Sequence, residues 1–303
     1  MKVSIITPSY QQAPFIERTL NSVACQNGAE IEHVVFDGGS TDGSVEILRN
    51  FKPQVRWVSR KDNGQAHAVN QGICDTDGEI IGWLNSDDIY YDGAISSIVD
   101  YFQNHPEIDV VYGMADHIDL NDTAFEAYPT ESWNYNRLKD ICFICQPALF
   151  FRRRVVKKHG LLDETLHYCM DYEYWLRLGR AGVRFHYMEK KIAGSRLYVG
   201  NKTLSDRVKV HKEINDVLKR LFGRVPDRWL CNYAHALVER KVNKKKSPKL
   251  YMIKLIGSTI KAAWHWNNGI SYEMLNILSF WSSVLYHKIR KDGRSKWSFN
   301  QKR

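Results

Sequence analysis

The 303-residue chain has no stretch that reads as a membrane span and no cysteine framework. Its most apolar windows lie near the C-terminus, where Lys254, Lys261, Glu273 and Asn276 interrupt every run of about 18 residues that could cross a bilayer. The opening MKVSIITPSY is a short apolar strand without the basic leader, long apolar core and cleavage site of a secretory signal, so residence in the cytoplasm is expected. Six cysteines (Cys25, Cys74, Cys142, Cys145, Cys169, Cys231) are scattered through apolar surroundings, which excludes a disulfide-stapled scaffold. Cys142 and Cys145 form a CxxC, but a zinc centre needs a second ligand pair, and the flanking Ile141, Phe143 and Ile144 point to core packing. Internal repeats are also missing. The 44% apolar content is that of an ordinary globular protein.

Charge is present in quantity but unevenly placed. Residues 201–303 hold 23 Lys and Arg against 7 Asp and Glu, a balance of +16, which leaves −7 on the remaining 200 residues of a chain with net charge +9. An acidic body is therefore joined to a basic tail, and such a tail seeks phosphate.

From Lys2 to Asp116, short β-branched runs alternate with segments of helical period. KVSIITP, EHVVFD, VRWVS, EIIGWL and DVVYGMAD read as strands, and Phe15 to Cys25, Ser44 to Asn50, Gln65 to Gln71 and Gly93 to Asn104 as helices. That alternation predicts an α/β fold with a mainly parallel central sheet flanked by helices. QPALFFRRRV restores a strand leading into a short helix, and Asp171 to Arg180 forms a helix whose Trp175, Leu176 and Leu178 pack on the sheet. After Thr203 only helical patterns remain: Leu204 to Phe222, Asp227 to Asn243, Pro248 to Trp266 and Ser271 to Ile289. The division expected is residues 1–203 as an α/β domain and 204–303 as a basic helical extension.

In parallel sheets, ligands sit beyond the carboxyl ends of the strands. Three strand ends here carry polar clusters: Pro8-Ser9-Tyr10, the DGGSTDGS run from Asp37, and Asn85-Ser86-Asp87-Asp88. Tyr10 offers a ring for stacking, and Asp37 a carboxylate able to accept from an imide N–H such as that of uracil. Read blandly, DGGSTDGS is a turn in which Asp42 or Ser44 caps the next helix. Asp87 and Asp88 repel one another unless a cation neutralises them, and a divalent ion held by one or two carboxylates together with diphosphate oxygens suits the pair. The bland reading is a pair of solvated acids before a helix.

Taken together, TPSYQQAPFIERTLNSVACQ, VVFDGGSTDGSVEIL, DNGQAHAVNQG, GEIIGWLNSDD, VVYG, QPALFFRRRV and GLLDETLHYCMDYEYWLRLGRAG resemble the family 2 glycosyltransferases, over about 200 residues. The resemblance implies the GT-A fold, a nucleotide-binding α/β domain with a DxD-like metal motif. By position it implies donor contacts from Pro8, Tyr10, Asp37, Gly64, Gln65, Asn70 and Asp87, with Gly64 to Asn70 near the diphosphate. It implies a Mn²⁺ or Mg²⁺ ion held by Asp87 and Asp88, and Asp171 as the base that takes the acceptor proton, with Glu173 the weaker candidate. Inversion at the anomeric carbon by direct displacement also follows from it. Three departures stand out: Gly38 occupies the place of a second Asp; Tyr198 in SRLYVGNKT occupies the place of a His, leaving Arg196 and Lys202 to supply that loop's positive charge; and the QxxRW signature of processive synthases is missing, which favours single-sugar addition. His67 lies in the diphosphate segment but reads equally as a structural helix-face residue.

The chain is thus expected to be a metal-dependent inverting glycosyltransferase acting with a nucleotide-diphosphate sugar, UDP-sugar favoured, on a saccharide or lipid-linked acceptor of surface polysaccharide. Its basic, aromatic tail suggests peripheral contact with the inner face of the cell membrane. The alternative for the tail is packing on the catalytic body or on a second copy in a homo-oligomer. A sugar-1-phosphate nucleotidyltransferase would need a Gly-rich basic N-terminal loop, which SYQQAPFIE is not. A nucleic-acid-binding protein would need aromatic and basic residues interleaved on a sheet face, whereas the N-terminal body is acidic; no nucleic-acid partner is expected.

Overall fold

The structure, a computed structural model, describes residues 1–198, 200–201 and 205–300, the side chains as far as residue 287. It divides into two compact units, Met1–Asn201 and Lys202–Arg303.

In the first unit, the nine strands among the described residues form one sheet in the order β3-β2-β1-β4-β8-β6-β9-β5, with β7 alongside β6. β1 (Lys2–Ser9) is central because it is buried on both sides from Val3 to Ser9, the pattern of a strand covered by helices above and below. It pairs in parallel with β2 (Glu30–Asp37) and β4 (Ile80–Trp83), and β2 pairs in parallel with β3 (Arg56–Ser59). The register sets Ser9 beside Asp37 and Asp37 beside Ser59, so three strands end level with one another.

Helices cover both faces. α1 (Ile16–Ala24) buries Ile16, Thr19, Leu20 and Val23, the i, i+3, i+4, i+7 stripe of an amphipathic helix. Ile16 and Leu20 cluster with Val35 of β2 and Leu48 of α2 (Ser44–Asn50). α4 (Ala94–Asn104) packs Ile95, Ile98, Val99 and Phe102 with Val3 and Ile5. Ile6 faces the other way and meets α3 (Gln65–Cys74), where a Cβ on Gly72 would lie 2.4 Å from it; only glycine lets this helix approach the sheet so closely.

The other half of the sheet holds β5 (Ile89–Tyr90), β6 (Val110–Ile118), β7 (Ala124–Ala127), β8 (Leu149–Arg152) and β9 (Phe185–Arg196). β8 runs antiparallel to both β4 and β6, whereas β6 and β9 are parallel. The mainly parallel sheet expected from the sequence is therefore parallel across β3-β2-β1-β4 and mixed beyond β4. β9 has no counterpart among the strands read from the sequence, because exposed Glu189, Lys190 and Lys191 interrupt its apolar run. Its register against β6 shifts next to Gly113, where a Cβ would come within 2.3 Å of Ile192.

Two short helices, α5 (Tyr135–Asp140) and α6 (Arg153–His159), flank β8, and α7 (Met170–Arg180) buries Trp175, Leu176 and Leu178 as expected. The Tyr174 and Trp175 rings lie 5.9 and 6.5 Å from Phe151 of β8. Cys145 is buried and Cys142 half-buried, and neither forms a disulfide, in keeping with core packing for the CxxC.

The second unit is helical: α8 (Arg207–Phe222), α9 (Asp227–Glu239), α10 (Pro248–Asn267) and α11 (Tyr272–Asn300). Gly223 and Asn268 take left-handed conformations that end α8 and α10, and Pro248 opens α10, so the sequence punctuates its own helices. Ala234, Val238, Val242, Tyr251 and Leu255 form the local core. Among the described residues, no helix is long and apolar enough to cross a membrane. Leu204, the expected start of the first of these helices, lies outside the described residues.

Candidate active site

The level ends of β1, β2 and β3 create the first part of the site. Asp37 is buried, and its carboxylate accepts hydrogen bonds from the Gly39 and Ser40 backbone N–H groups (3.0 and 2.8 Å), from the Ser40 hydroxyl and from the Ser59 hydroxyl (2.6 Å). Three of these donors share Oδ2 and only the Ser40 hydroxyl reaches Oδ1, so Asp37 organises the loop it begins while Oδ1 keeps room for a further donor. Asp42 accepts from Ala13 N–H and from Ser44, the bonding expected of a helix-cap residue. Pro8 is buried beside Phe36, and Tyr10 is exposed just beyond it.

Gly38 adds a residue that sequence reading did not single out. A Cβ at Gly38 would lie 3.2 Å from the Tyr10 ring and 3.3 Å from the Asp62 carboxylate. At Gly38 the Tyr10 ring and the carboxylate of Asp62 from the next loop come so close that even an added methyl would make a neighbour shift. Asp62 also accepts from Gly64 N–H at 2.8 Å, in the left-handed turn that starts α3. The signal was present in the DNG tripeptide, a turn sequence at a strand end.

The second part is the segment after β4. Asn85 lies at the centre of a side-chain network: its carbonyl oxygen accepts from Gln65 (2.7 Å) and Trp83 (2.9 Å), and its amide donates to Asp88 (3.1 Å) and Gln146 (2.9 Å). The start of α3 is thereby tied to the acidic pair. Thr19 of α1 secures the same turn from below, its buried hydroxyl reaching the carbonyls of Ser86 and Asp88. Asp88 accepts from Arg196 N–H at 2.8 Å, and Asp87 accepts from the Tyr198 hydroxyl at 3.3 Å.

Burial pushes both acids up, and for Asp88 the adjacent charge of Asp87 adds to it, raising its pKa to about 8. The buried Asp88 and the half-buried Asp87, held side by side by neutral donors, have a deficit of positive charge. The nearby guanidinium of Arg196 is fully buried but committed elsewhere: it donates to the carbonyls of Asp87 and Asp119, pairs with Asp122 and lies over the Phe15 ring. Arg196, expected to serve the donor, holds the loop around the acids. Lys202 lies outside the described residues.

Among the described residues, no cluster of three or more His, Cys, Asp or Glu could hold a metal by itself. Asp87 and Asp88 nonetheless fit a hard divalent ion that takes its other ligands from diphosphate and water, the usual arrangement for Mg²⁺ at phosphate sites. The strain of the pair without a cation is measurable. Asp88 binds its proton more tightly folded than unfolded, so it favours the folded state at low pH and loses that contribution as pH rises from 3.8 through about 8. The half-buried His33 and His211, lowered to about 3 and 4 by desolvation, act in the opposite sense but only below their ordinary value of 6.5. In EDTA, the melting temperature is expected to fall between about pH 7 and pH 8.5 and to flatten in Asp88→Asn; equal slopes for the two proteins would mean the pair is not strained.

The third part is the start of α7. Asp171 is half-buried in its first turn and accepts from Tyr172 N–H at 2.7 Å. The Cys145 thiol is pushed up by burial first, then by charges that include both Asp88 and Asp171. Glu173 is turned inward, bonded twice to Arg177 (3.0 and 3.1 Å), so it is structural. Asn70 and His67, expected along the diphosphate, face another loop: Asn70 exchanges hydrogen bonds with the Leu162 backbone and donates to Glu164, which also meets His67 at 2.9 Å.

Residues 4–160, more than half of the chain, match the profile of glycosyl transferase family 2. The chain belongs to that family. Relatives of this family 2 chain include a glycosyltransferase of Rickettsia conorii, uncharacterised in function, 28% identical over 268 residues (82% of this chain, 41% of the relative), and the chondroitin synthase of Escherichia coli, 28% identical over 228 residues (72% and 33%). The chain spans about half the length, or less, of the curated relatives it matches. In solved structures its fold is similar to S. aureus TarS 1-349 in complex with UDP-GlcNAc, with a TM-score of 0.59 at 18% identity over 86% of this chain and 81% of that one. It is also similar to the mannosyltransferase PcManGT of Pyrobaculum calidifontis in complex with GDP-Man and Mn²⁺, with a TM-score of 0.55 at 16% identity over 97% and 83%. The fold of this family 2 protein is GT-A, as the sequence blocks implied.

Proposed function

We propose that the chain transfers a single sugar, with inversion, from a nucleotide-diphosphate donor to a hydroxyl acceptor. The observation that supports it best is the mutually repelling pair of half-buried Asp87 and buried Asp88 after the end of β4, on the side where β1 and β2 end in Tyr10 and the Asp37 loop. Tyr10 stacks on the base, and Asp37, whose Oδ1 takes only the Ser40 hydroxyl, accepts its N–H. Asp87 and Asp88 would hold Mn²⁺ or Mg²⁺, which would supply positive charge against the leaving diphosphate. Gln65 and Asn85 keep the start of α3 and Asp88 in one frame.

Asp171 takes the proton from the acceptor hydroxyl as its oxygen bonds to the anomeric carbon; the bond from that carbon to the diphosphate oxygen breaks, and its electron pair leaves with the nucleoside diphosphate. Displacement from the face opposite the leaving group inverts the configuration. A lipid-linked or surface-polysaccharide acceptor at the inner membrane face suits the basic second unit. That TarS and PcManGT were captured with UDP-GlcNAc and with GDP-Man and Mn²⁺ is consistent with such a donor and ion.

Thermal shift with UDP-, GDP- and dTDP-sugars tests this reading. One nucleotide, with UDP favoured, is expected to stabilise the protein only when Mn²⁺ is present, by about 2.7 kcal/mol at a hundred times its dissociation constant. Stabilisation by none of them, or equal stabilisation in EDTA, would refute it.

A further inference from the structure

α10 has two apolar sides. One, formed by Tyr251, Leu255, Thr259, Ala262 and Trp266, is buried. The other contains Leu250, Ile253 and Trp264, which are 46%, 55% and 59% exposed. At about 100° per residue these three fall on one side of the helix, with Gly257 and the partly buried Ile260 between them. A surface helix ordinarily turns polar side chains outward, so this stripe calls for a partner. Its borders are basic: exposed Lys254 and Lys261 run along one edge and Lys249 along the other, and the helix contains no Asp or Glu. α11 continues the pattern with Tyr272, Leu275, Phe280 and Tyr286 exposed, and residues 288–303 hold seven Lys and Arg against one Asp.

We infer that the Leu250–Trp264 face of α10 docks on an anionic lipid bilayer. The apolar stripe enters the boundary between headgroups and acyl chains, the Trp264 ring sits at the interface, and the lysine stems run along the stripe so that their ammonium groups reach lipid phosphates. A second copy of the chain is the poorer occupant. Apposing two such faces brings lysine against lysine with no carboxylate on the helix to neutralise them, whereas a negatively charged surface complements the whole border.

This deepens the reading of a membrane-side acceptor, and its test uses neither donor nor acceptor, so either can fail without the other. The full chain is sedimented with vesicles of phosphatidylcholine containing one-third phosphatidylglycerol, and with phosphatidylcholine alone. Binding to the anionic vesicles is expected, weakened by salt and much lower on the neutral ones. Ile253→Glu combined with Trp264→Glu is expected to lower binding at least tenfold, and Lys254→Gln and Lys261→Gln about fivefold each, from the attraction of a basic residue near an anionic leaflet. All four positions are exposed, so the melting temperature should hold. Wild-type chain left in the supernatant, or binding untouched by these substitutions, overturns the inference; so does light scattering in which Ile253→Glu with Trp264→Glu splits a dimer while vesicle binding persists.

Discussion

Asp171→Asn is expected to lower kcat at least a hundredfold while leaving donor affinity within a few fold, the scale of a lost general base. The substitution keeps the shape of the side chain and an oxygen able to accept from Tyr172 N–H, which lies 2.7 Å from the carboxylate. What it removes is a basic oxygen beside the site where the acceptor hydroxyl loses its proton. Asp171 stands at the start of α7, a helix fixed by Trp175, Leu176 and Leu178 in the core, so the position does not depend on its own charge. Titration of the donor into the variant separates the roles: a parallel loss of donor binding would make Asp171 a structural residue.

The second large effect concerns Asp88. Asp88→Ala is expected to abolish transfer and the metal dependence of nucleotide binding together, because one carboxylate of the pair is lost and the other holds the ion alone. Asp88→Asn refines this: its amide oxygen can keep the bond from Arg196 N–H, its NH2 gives up the bond from Asn85, and the charge is removed. Near pH 8 the metal-free Asn variant should melt higher than the wild-type chain, as the repulsion from Asp87 and the cost of burying the charge both disappear. A protein made more stable and inactive by one atom exchange is the mark of strain kept for function. Full activity in Asp88→Ala would remove the metal role.

Much of this site was visible in the sequence because apolar runs announce strands and the polar clusters after them announce strand ends. Tyr10, Asp37 and the pair Asp87-Asp88 were found that way, as were the helices of the second unit, whose apolar period and Gly223, Pro248 and Asn268 boundaries are local signals. What stayed hidden depends on contacts across long separations. β9 escaped because Glu189, Lys190 and Lys191 mask its apolar residues, and with it went the means to see that Arg196 is buried against Asp122 and the Asp87 carbonyl. Asn70 looked like a ligand-segment residue because nothing near it in sequence marks Leu162 and Glu164, over 90 residues away, as its partners.

Asp37 and Asp62 make the same point from the other side. An acid at a strand end reads as a ligand contact, but the local turn draws on it too, as Gly39, Ser40 and Ser59 do on one oxygen of Asp37. Asp62 stands close against the neighbouring Gly38, a proximity that only the folded chain shows.

Crystals grown with Mn²⁺ and the stabilising nucleotide diphosphate, measured for anomalous scattering at the manganese edge, put the convergence of these strand ends to the most direct trial. The expected map has one manganese peak bonded to Asp87 or Asp88 and to the diphosphate, with the base against Tyr10 and Asp171 facing the other end of the same pocket. A manganese peak on an unrelated surface, or a nucleotide bound away from the ends of β1, β2 and β4, would contradict it.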